Sequence, residues 1–256
     1  MAKRRVDPVL MSIVRIKLVR EEEEFGTATG FFFTKEGRIY LVTNRHVAQS
    51  RKRGAQPTHF RIHLHQTASD LGENFWMSLP LFDEGGRPRW LEDPLNDSDV
   101  LCLEVEEIRS RAAEKAIAIS ALSEADFVPD DLDFELGQEL LVIGYPRGYH
   151  DNVHNLPVIR YATLASPYPI PFQGKPLSLI DANLHPGTSG SPVILKPSSI
   201  PATRWSADPF SRRRVYLLGV HSSSVGAVLK DGGKDPLGLH LVWSATLITD
   251  IIDGKA

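Results

Sequence analysis

The run His185-Pro186-Gly187-Thr188-Ser189-Gly190-Ser191-Pro192-Val193-Ile194 gathers in one place the residue types that acyl transfer requires. A serine followed by one glycine, with another glycine two positions before it, fits a tight loop that exposes the hydroxyl. The amides of Gly187 and Ser189 can then face one small space, where an oxyanion develops when a carbonyl is attacked. Such loops also occur in proteins that catalyse nothing, so the string gains meaning only beside a base and an orienting carboxylate.

Both are present upstream. His46 ends the run Tyr40-Leu41-Val42-Thr43-Asn44-Arg45-His46-Val47, where apolar residues behind an imidazole can hold it against the core while it faces a cleft. Asp99 precedes the apolar stretch Val100 to Val105, and a partly buried carboxylate there can fix an imidazole's tautomer and stabilise its cation. Asp97 could play the same part, and each of the three residues has an ordinary reading as a surface, core or turn residue. The order His, Asp, Ser divides them between two halves of the chain, so the chemistry is expected where those halves meet.

The elements that must position these groups read as short strands. Ser12 to Val19, Gly30 to Thr34, Ile39 to Thr43 and His59 to His65 are expected strands, with a glycine turn at 35–38 and an acidic turn at Glu21 to Glu24. A Gly/Pro-rich excursion at 82–94 precedes the strand that follows Asp99. A loose connector follows, with a helical piece at Arg111 to Ile117. In the second half, strands are expected at 140–146, 158–165, 178–181, 192–195 and 215–221, with an exposed loop at 197–214 and a terminal helix from Ser244 to Ile252. The fold class is all-β: two antiparallel β-barrels and a C-terminal α-helix. A single domain over 1–256 is expected, with one barrel over about 8–110, a connector over about 111–136, and the second barrel and helix over about 137–256.

Bulk properties narrow the function classes. A net charge of −3 with 42% apolar residues describes an ordinary globular chain and gives no reason to expect nucleic-acid or anionic-membrane binding. The basic runs Lys3-Arg4-Arg5, Arg51-Lys52-Arg53 and Arg212-Arg213-Arg214 read as solvated surface. The single cysteine, Cys102, reads as core packing, and with no intrachain disulfide available the expected compartment is the cytoplasm. No membrane-length or signal-peptide run is present. His59, His63 and His65 share one face of their strand, but a surface position is expected for them rather than a metal site.

The stretches 26–31, 42–47, 99–101, 143–148 and 181–190 resemble successive landmarks of the trypsin-like peptidases, of the HtrA type. The resemblance implies a chymotrypsin-like pair of six-stranded barrels, with His46 as base, Asp99 as orienter and Ser189 as nucleophile. It implies an oxyanion hole from the Gly187 and Ser189 amides and a protein or peptide substrate, with no metal or cofactor. Thr188 stands where digestive enzymes carry an activating aspartate, so that zymogen switch is not expected. With Ala256 following directly on the terminal helix, the PDZ domains typical of HtrA are not expected. The same resemblance places Asn183, Leu184, His221, Ser222 and Gly238 in the substrate pocket. Asn183 disfavours Arg or Lys before the scissile bond. His221 falls where glutamyl endopeptidases carry a pocket histidine, which implies a preference for Glu or Gln, whereas Leu184 replaces their usual hydroxyl. A protease-like binding or regulatory module, or a peptidase switched on by a partner protein, is the alternative.

Overall fold

The computed structural model describes residues 6–49, 56–93, 95, 97–114, 117–197, 215–228 and 234–255. The N-terminal lobe is built from β1 (Ile13–Arg20), β2 (Glu23–Lys35), β3 (Arg38–Thr43), the one-turn helix α1 (Arg45–Ala48), β4 (His59–His65), β5 (Asn74–Pro80), β6 (Trp90–Glu92), β7 (Leu101–Glu104) and helix α2 (Glu106–Ala113). Its strands form one seven-stranded sheet in the order β5-β4-β1-β2-β3-β7-β6. The C-terminal lobe contains β8 (Glu139–Gly144), β9 (Val158–Leu164), β10 (Leu177–Asp181), β11 (Pro192–Leu195), β12 (Leu217–Val228) and β13 (Lys234–Ser244), which close into a barrel, followed by α3 (Thr246–Ile252).

Strand periodicity explains how the lobes join. Phe31, Phe32 and Phe33 are all fully buried, yet they serve two different cores. Phe32 packs inside the N-terminal lobe with Leu41, Leu101 and Leu103. Phe31 and Phe33 face the other way, into a core shared with Ile194, Leu217, Val220, Trp243 and Leu247 of the second lobe. Alternation on β11 does the same, since Val193 and Leu195 line the barrel interior while Ile194 turns outward to the shared core. Each buried phenylalanine contributes about 1.5–3 kcal/mol relative to exposure, so the shared layer fixes the lobes against each other. Helix α3 extends this layer. Leu247, Ile248 and Ile251 are buried, and Lys35 pairs with Asp253 at 2.6 Å.

The expected all-β fold holds, with a closed six-stranded barrel in the second lobe and a C-terminal helix, while the strands of the first lobe form a seven-stranded sheet. Several details are corrected. The edges of that sheet approach through the turn after β5, where the Arg89 amide donates to the Leu81 carbonyl at 2.9 Å, but β6 has only three residues and does not complete a ladder. That strand lies inside the stretch expected to be an excursion. The connector helix starts at Glu106 rather than Arg111, because the buried Ile108 anchors it to the lobe. Sequence reading assigned no strand to 234–244, where Pro236 and Gly238 obscure the pattern, yet β13 pairs with both β10 and β12. Of the expected loop, 198–214 lies outside the described residues, as do the three basic runs.

The histidines of β4 are a further correction. His65 is buried, with its Nε2 bonded to the His154 carbonyl at 2.7 Å. His63 stacks flat on Trp76, its cross-strand partner, at 4.2 Å, and its Nδ1 meets the Arg15 guanidinium at 3.4 Å. Burial, reinforced by the charge of Arg15, pushes the His63 imidazole down to about 4. The segment 150–155 of the second lobe covers this face, through His154 on His65 and the Asn155 amide on the His63 carbonyl.

Candidate active site

His46 lies in α1, directly after β3, rather than on the strand itself. Its neighbour in space comes from the start of β7, because β3 pairs with β7 from Thr43↔Leu101 onward. Asp99 is held there from several directions. Its carbonyl accepts from the Asn44 side-chain amide at 2.7 Å, and its carboxylate accepts from the His46 backbone amide at 2.9 Å. The second carboxylate oxygen lies 2.6 Å from His46 Nδ1 and accepts from the Ser222 hydroxyl at 2.5 Å. A carboxylate only accepts at this site, so Nδ1 carries the proton and Nε2 is left as the basic lone pair. Burial on its own would raise the Asp99 carboxyl, but the hydrogen bond and charge of His46, with the Ser222 hydroxyl, hold it below the usual range. Asp97 points elsewhere and pairs with Arg45 at 2.5 Å on the surface.

Ser189 sits in the turn between β10 and β11. Gly187 has φ +99°, and a Cβ there would lie 2.6 Å from the Tyr145 carbonyl oxygen and 2.8 Å from the Arg147 nitrogen. Only glycine fits both the conformation and the space. The carbonyls from Pro186 to Ser189 are all engaged. That of Pro186 accepts from Arg147 N at 2.6 Å, that of Gly187 from the Thr29 hydroxyl at 2.8 Å, and that of Ser189 from Thr29 N at 3.0 Å. The Thr188 carbonyl accepts from Ser191 N at 3.0 Å and lies 2.9 Å from His221 Nδ1. The amides of Thr188, Gly190 and Ser191 donate within the protein, whereas those of Gly187 and Ser189 have no acceptor among the described residues. In a trans peptide the N–H points opposite to its C=O, so tying the Pro186 and Thr188 carbonyls to the body turns these two donors away from it. Two free donors on peptides separated by one other peptide are the chemistry of an oxyanion site.

Ser222 brings the parts together. Its hydroxyl touches Asp99 and its carbonyl accepts from Ser189 Oγ at 3.1 Å. No hydrogen bond joins Ser189 Oγ to His46 among the described residues, and a rotation about the serine side chain is needed to turn the hydroxyl from Ser222 toward the imidazole. Ser222 is expected in the substrate pocket; its side chain anchors the Asp99 carboxylate as well. Sequence reading gave no role to Thr29, although its backbone and hydroxyl hold two carbonyls of the serine loop. A threonine next to a block of buried phenylalanines was the available signal.

The remaining expected pocket residues differ in exposure. Asn183 is exposed, with its carbonyl accepting from Arg160 at 2.6 Å. Leu184 packs against the barrel interior. Gly238, at φ +71°, accepts from Ala182 N at 3.1 Å, which places it beside the 182–184 stretch. His221 is 3% exposed, and its Nε2 lies 3.2 Å from His240 Nδ1. Burial pushes its imidazole down to about 4. A cavity of about 790 Å³ does border the serine loop, but it is lined by Pro146, Arg147, His150, Arg160 and His185 among others, and by none of the five expected residues. Among the described residues no cluster of His, Cys, Asp or Glu could hold a metal ion, and no helix is long and apolar enough to cross a membrane.

A polar dyad on one lobe, facing a serine on a glycine loop of a closed barrel, is the layout of a two-lobed, β-rich hydrolase. Residues 28–198 match the trypsin-like peptidase domain, and the chain belongs to that family. Among solved structures, it is similar to a serine endoprotease from Yersinia pestis at 14% identity, with a TM-score of 0.53 over 96% of this chain and 63% of that one. That likeness speaks to the fold, and this chain spans less than two thirds of that protein's length. Comparison with curated protein sequences finds no match.

Proposed function

We propose that this chain hydrolyses peptide bonds through Ser189, His46 and Asp99. Ser189 Oγ attacks the carbonyl as His46 Nε2 takes its proton. The Gly187 and Ser189 amides receive the oxyanion, the peptide C–N bond breaks as His46 returns the proton to the departing amine, and water deprotonated by the same imidazole then hydrolyses the acyl ester. The observation that carries this reading is Ser222, one residue in contact with both the hydroxyl of Ser189 and the carboxylate of Asp99. Replacement of Ser189 by Ala is expected to abolish labelling by a fluorophosphonate probe; equal labelling of the variant would remove Ser189 from the role of nucleophile.

A preference for Glu or Gln before the scissile bond is narrowed by the ring of His221. With its Nδ1 proton on Thr188, the neutral ring offers only an acceptor at Nε2, already met by His240. With both ring nitrogens engaged inside the protein, His221 is not free to read the substrate side chain, so this preference rests on the resemblance alone. A peptide-library digestion that cuts mainly after small aliphatic residues would end this part of the proposal.

A second reading has its own support. Ser189 Oγ is bonded to Ser222 rather than to His46, which suits a peptidase at rest that a regulatory partner switches on. Labelling that rises when cell extract is added would favour it; no labelling with or without extract would instead indicate a binding module.

A further inference from the structure

His221 makes three hydrogen bonds to the serine loop from its place on β12. Its carbonyl accepts from Gly190 N at 2.9 Å, its amide donates to the Ser191 carbonyl at 2.9 Å, and its ring Nδ1 lies 2.9 Å from the Thr188 carbonyl oxygen. The two backbone bonds hold the loop downstream of Ser189. The ring alone reaches the peptide that joins Thr188 to Ser189, whose N–H is one of the two free donors. A carbonyl can only accept, so Nδ1 carries the ring's proton, and Nε2 must accept from His240 Nδ1 at 3.2 Å. Ser191 N also reaches the Thr188 carbonyl, at 3.0 Å, but it belongs to the same turn and moves with it. His221 is the contact that ties this peptide to the barrel wall.

We propose that His221 is a positioning residue for the oxyanion site: its Nδ1–H, held in that tautomer by His240, fixes the Thr188–Ser189 peptide so that the Ser189 N–H faces the developing negative charge. The bond also polarises the peptide and strengthens its N–H as a donor. This rests on the proposed acyl-transfer chemistry and assigns the ring to the machinery of the loop rather than to reading the substrate side chain.

The test compares His221→Leu, His221→Asn and His221→Gln. Asparagine places an amide N–H the same number of bonds from Cβ as Nδ1, whereas glutamine places it one bond further out. The readouts are the rate of fluorophosphonate labelling, which puts a phosphoryl oxygen in the oxyanion site, and the residue preference before the cut in a peptide library. The leucine and glutamine variants are expected to label roughly ten- to a hundredfold more slowly, less than the loss of a whole donor. Asparagine recovers most of that rate, and the residue preference stays fixed in all three. Equal losses in the leucine and asparagine variants would overturn the proposal, as would a changed preference with an unchanged labelling rate. A wild-type protein that never labels, with or without extract, would sink the acyl-transfer reading itself. Long-range proton–nitrogen NMR of the His221 ring then decides separately: a proton on Nδ1 is expected, and one on Nε2 overturns the inference.

Discussion

The two lobes hold their shares of the site by different means. In the N-terminal lobe, His46 and Asp99 are neighbours because β3 and β7 are paired, and the contacts that fix them come mostly from the ends of those two strands. The serine loop of the C-terminal lobe depends on residues from across the molecule: Thr29 from the other lobe, Arg147 beyond β8 and His221 on β12. A dyad built on adjacent strands is set by local pairing. A loop whose donors must point into empty space needs its carbonyls tied down from several sides, and those ties come from distant parts of the chain.

The contrast is sharpest at the dyad. Asp99→Asn keeps the shape but lets an amide meet His46 Nδ1, which favours the wrong tautomer. The turnover of a cleaved peptide is expected to fall on the order of 10⁴-fold. Asp97→Asn breaks only an exposed pair with Arg45 and should shift stability by less than about 1 kcal/mol with turnover unchanged. Comparable losses in the two variants would mean that the orienting carboxylate is misassigned.

At the loop, Thr29→Val removes a hydroxyl that donates to the Gly187 carbonyl and accepts from Tyr145 N at 3.0 Å, with little change in shape. Leaving those buried groups unmet is expected to cost about 1–3 kcal/mol in denaturant unfolding. Fluorophosphonate labelling should slow by roughly tenfold as the Gly187 peptide loosens, a weaker effect than loss of an oxyanion donor. A variant that loses stability yet labels at the wild-type rate would show that the loop holds its shape without the other lobe.

A pH dependence of stability shared by both lobes comes last, without direct effect on turnover. His63 and His221 are each pushed down to about 4, so between that value and about 6.5 the unfolded chain binds protons that the folded chain excludes. Stability is therefore full above pH 6.5, falls as pH drops toward 4, and levels off below it. For one buried imidazole the loss is on the order of 3 kcal/mol, and less for the half-buried His63. Thermal unfolding between pH 7 and 4.5 checks it: His63→Phe, which can still stack on Trp76, should flatten the slope, and an unchanged slope would show that His63 is protonated when folded.

His46, Asp99 and Ser189 stand out as candidates because their neighbours are local: apolar strand residues before the histidine, an apolar strand after the aspartate and glycines about the serine. Most strands were legible for the same reason, since period-two alternation is a property of a short stretch. Strand β13 was not, because Pro236 and Gly238 break the pattern and its pairing with β10 and β12 restores the strand from outside. The β4 histidines look like surface until the 150–155 segment of the other lobe closes over them.

By itself the sequence determined the chemistry available to this protein, the order of its polar groups, and the glycine at 187 that no other residue could replace. Tertiary structure decided that Ser222 anchors Asp99, that Thr29 reaches across the lobes, and that His221 faces the back of the serine loop. The physical reason is that a side chain's type is written at its own position. What its hydrogen-bonding atoms meet depends on residues 33 to 158 positions away, brought close only when the lobes fold and pack.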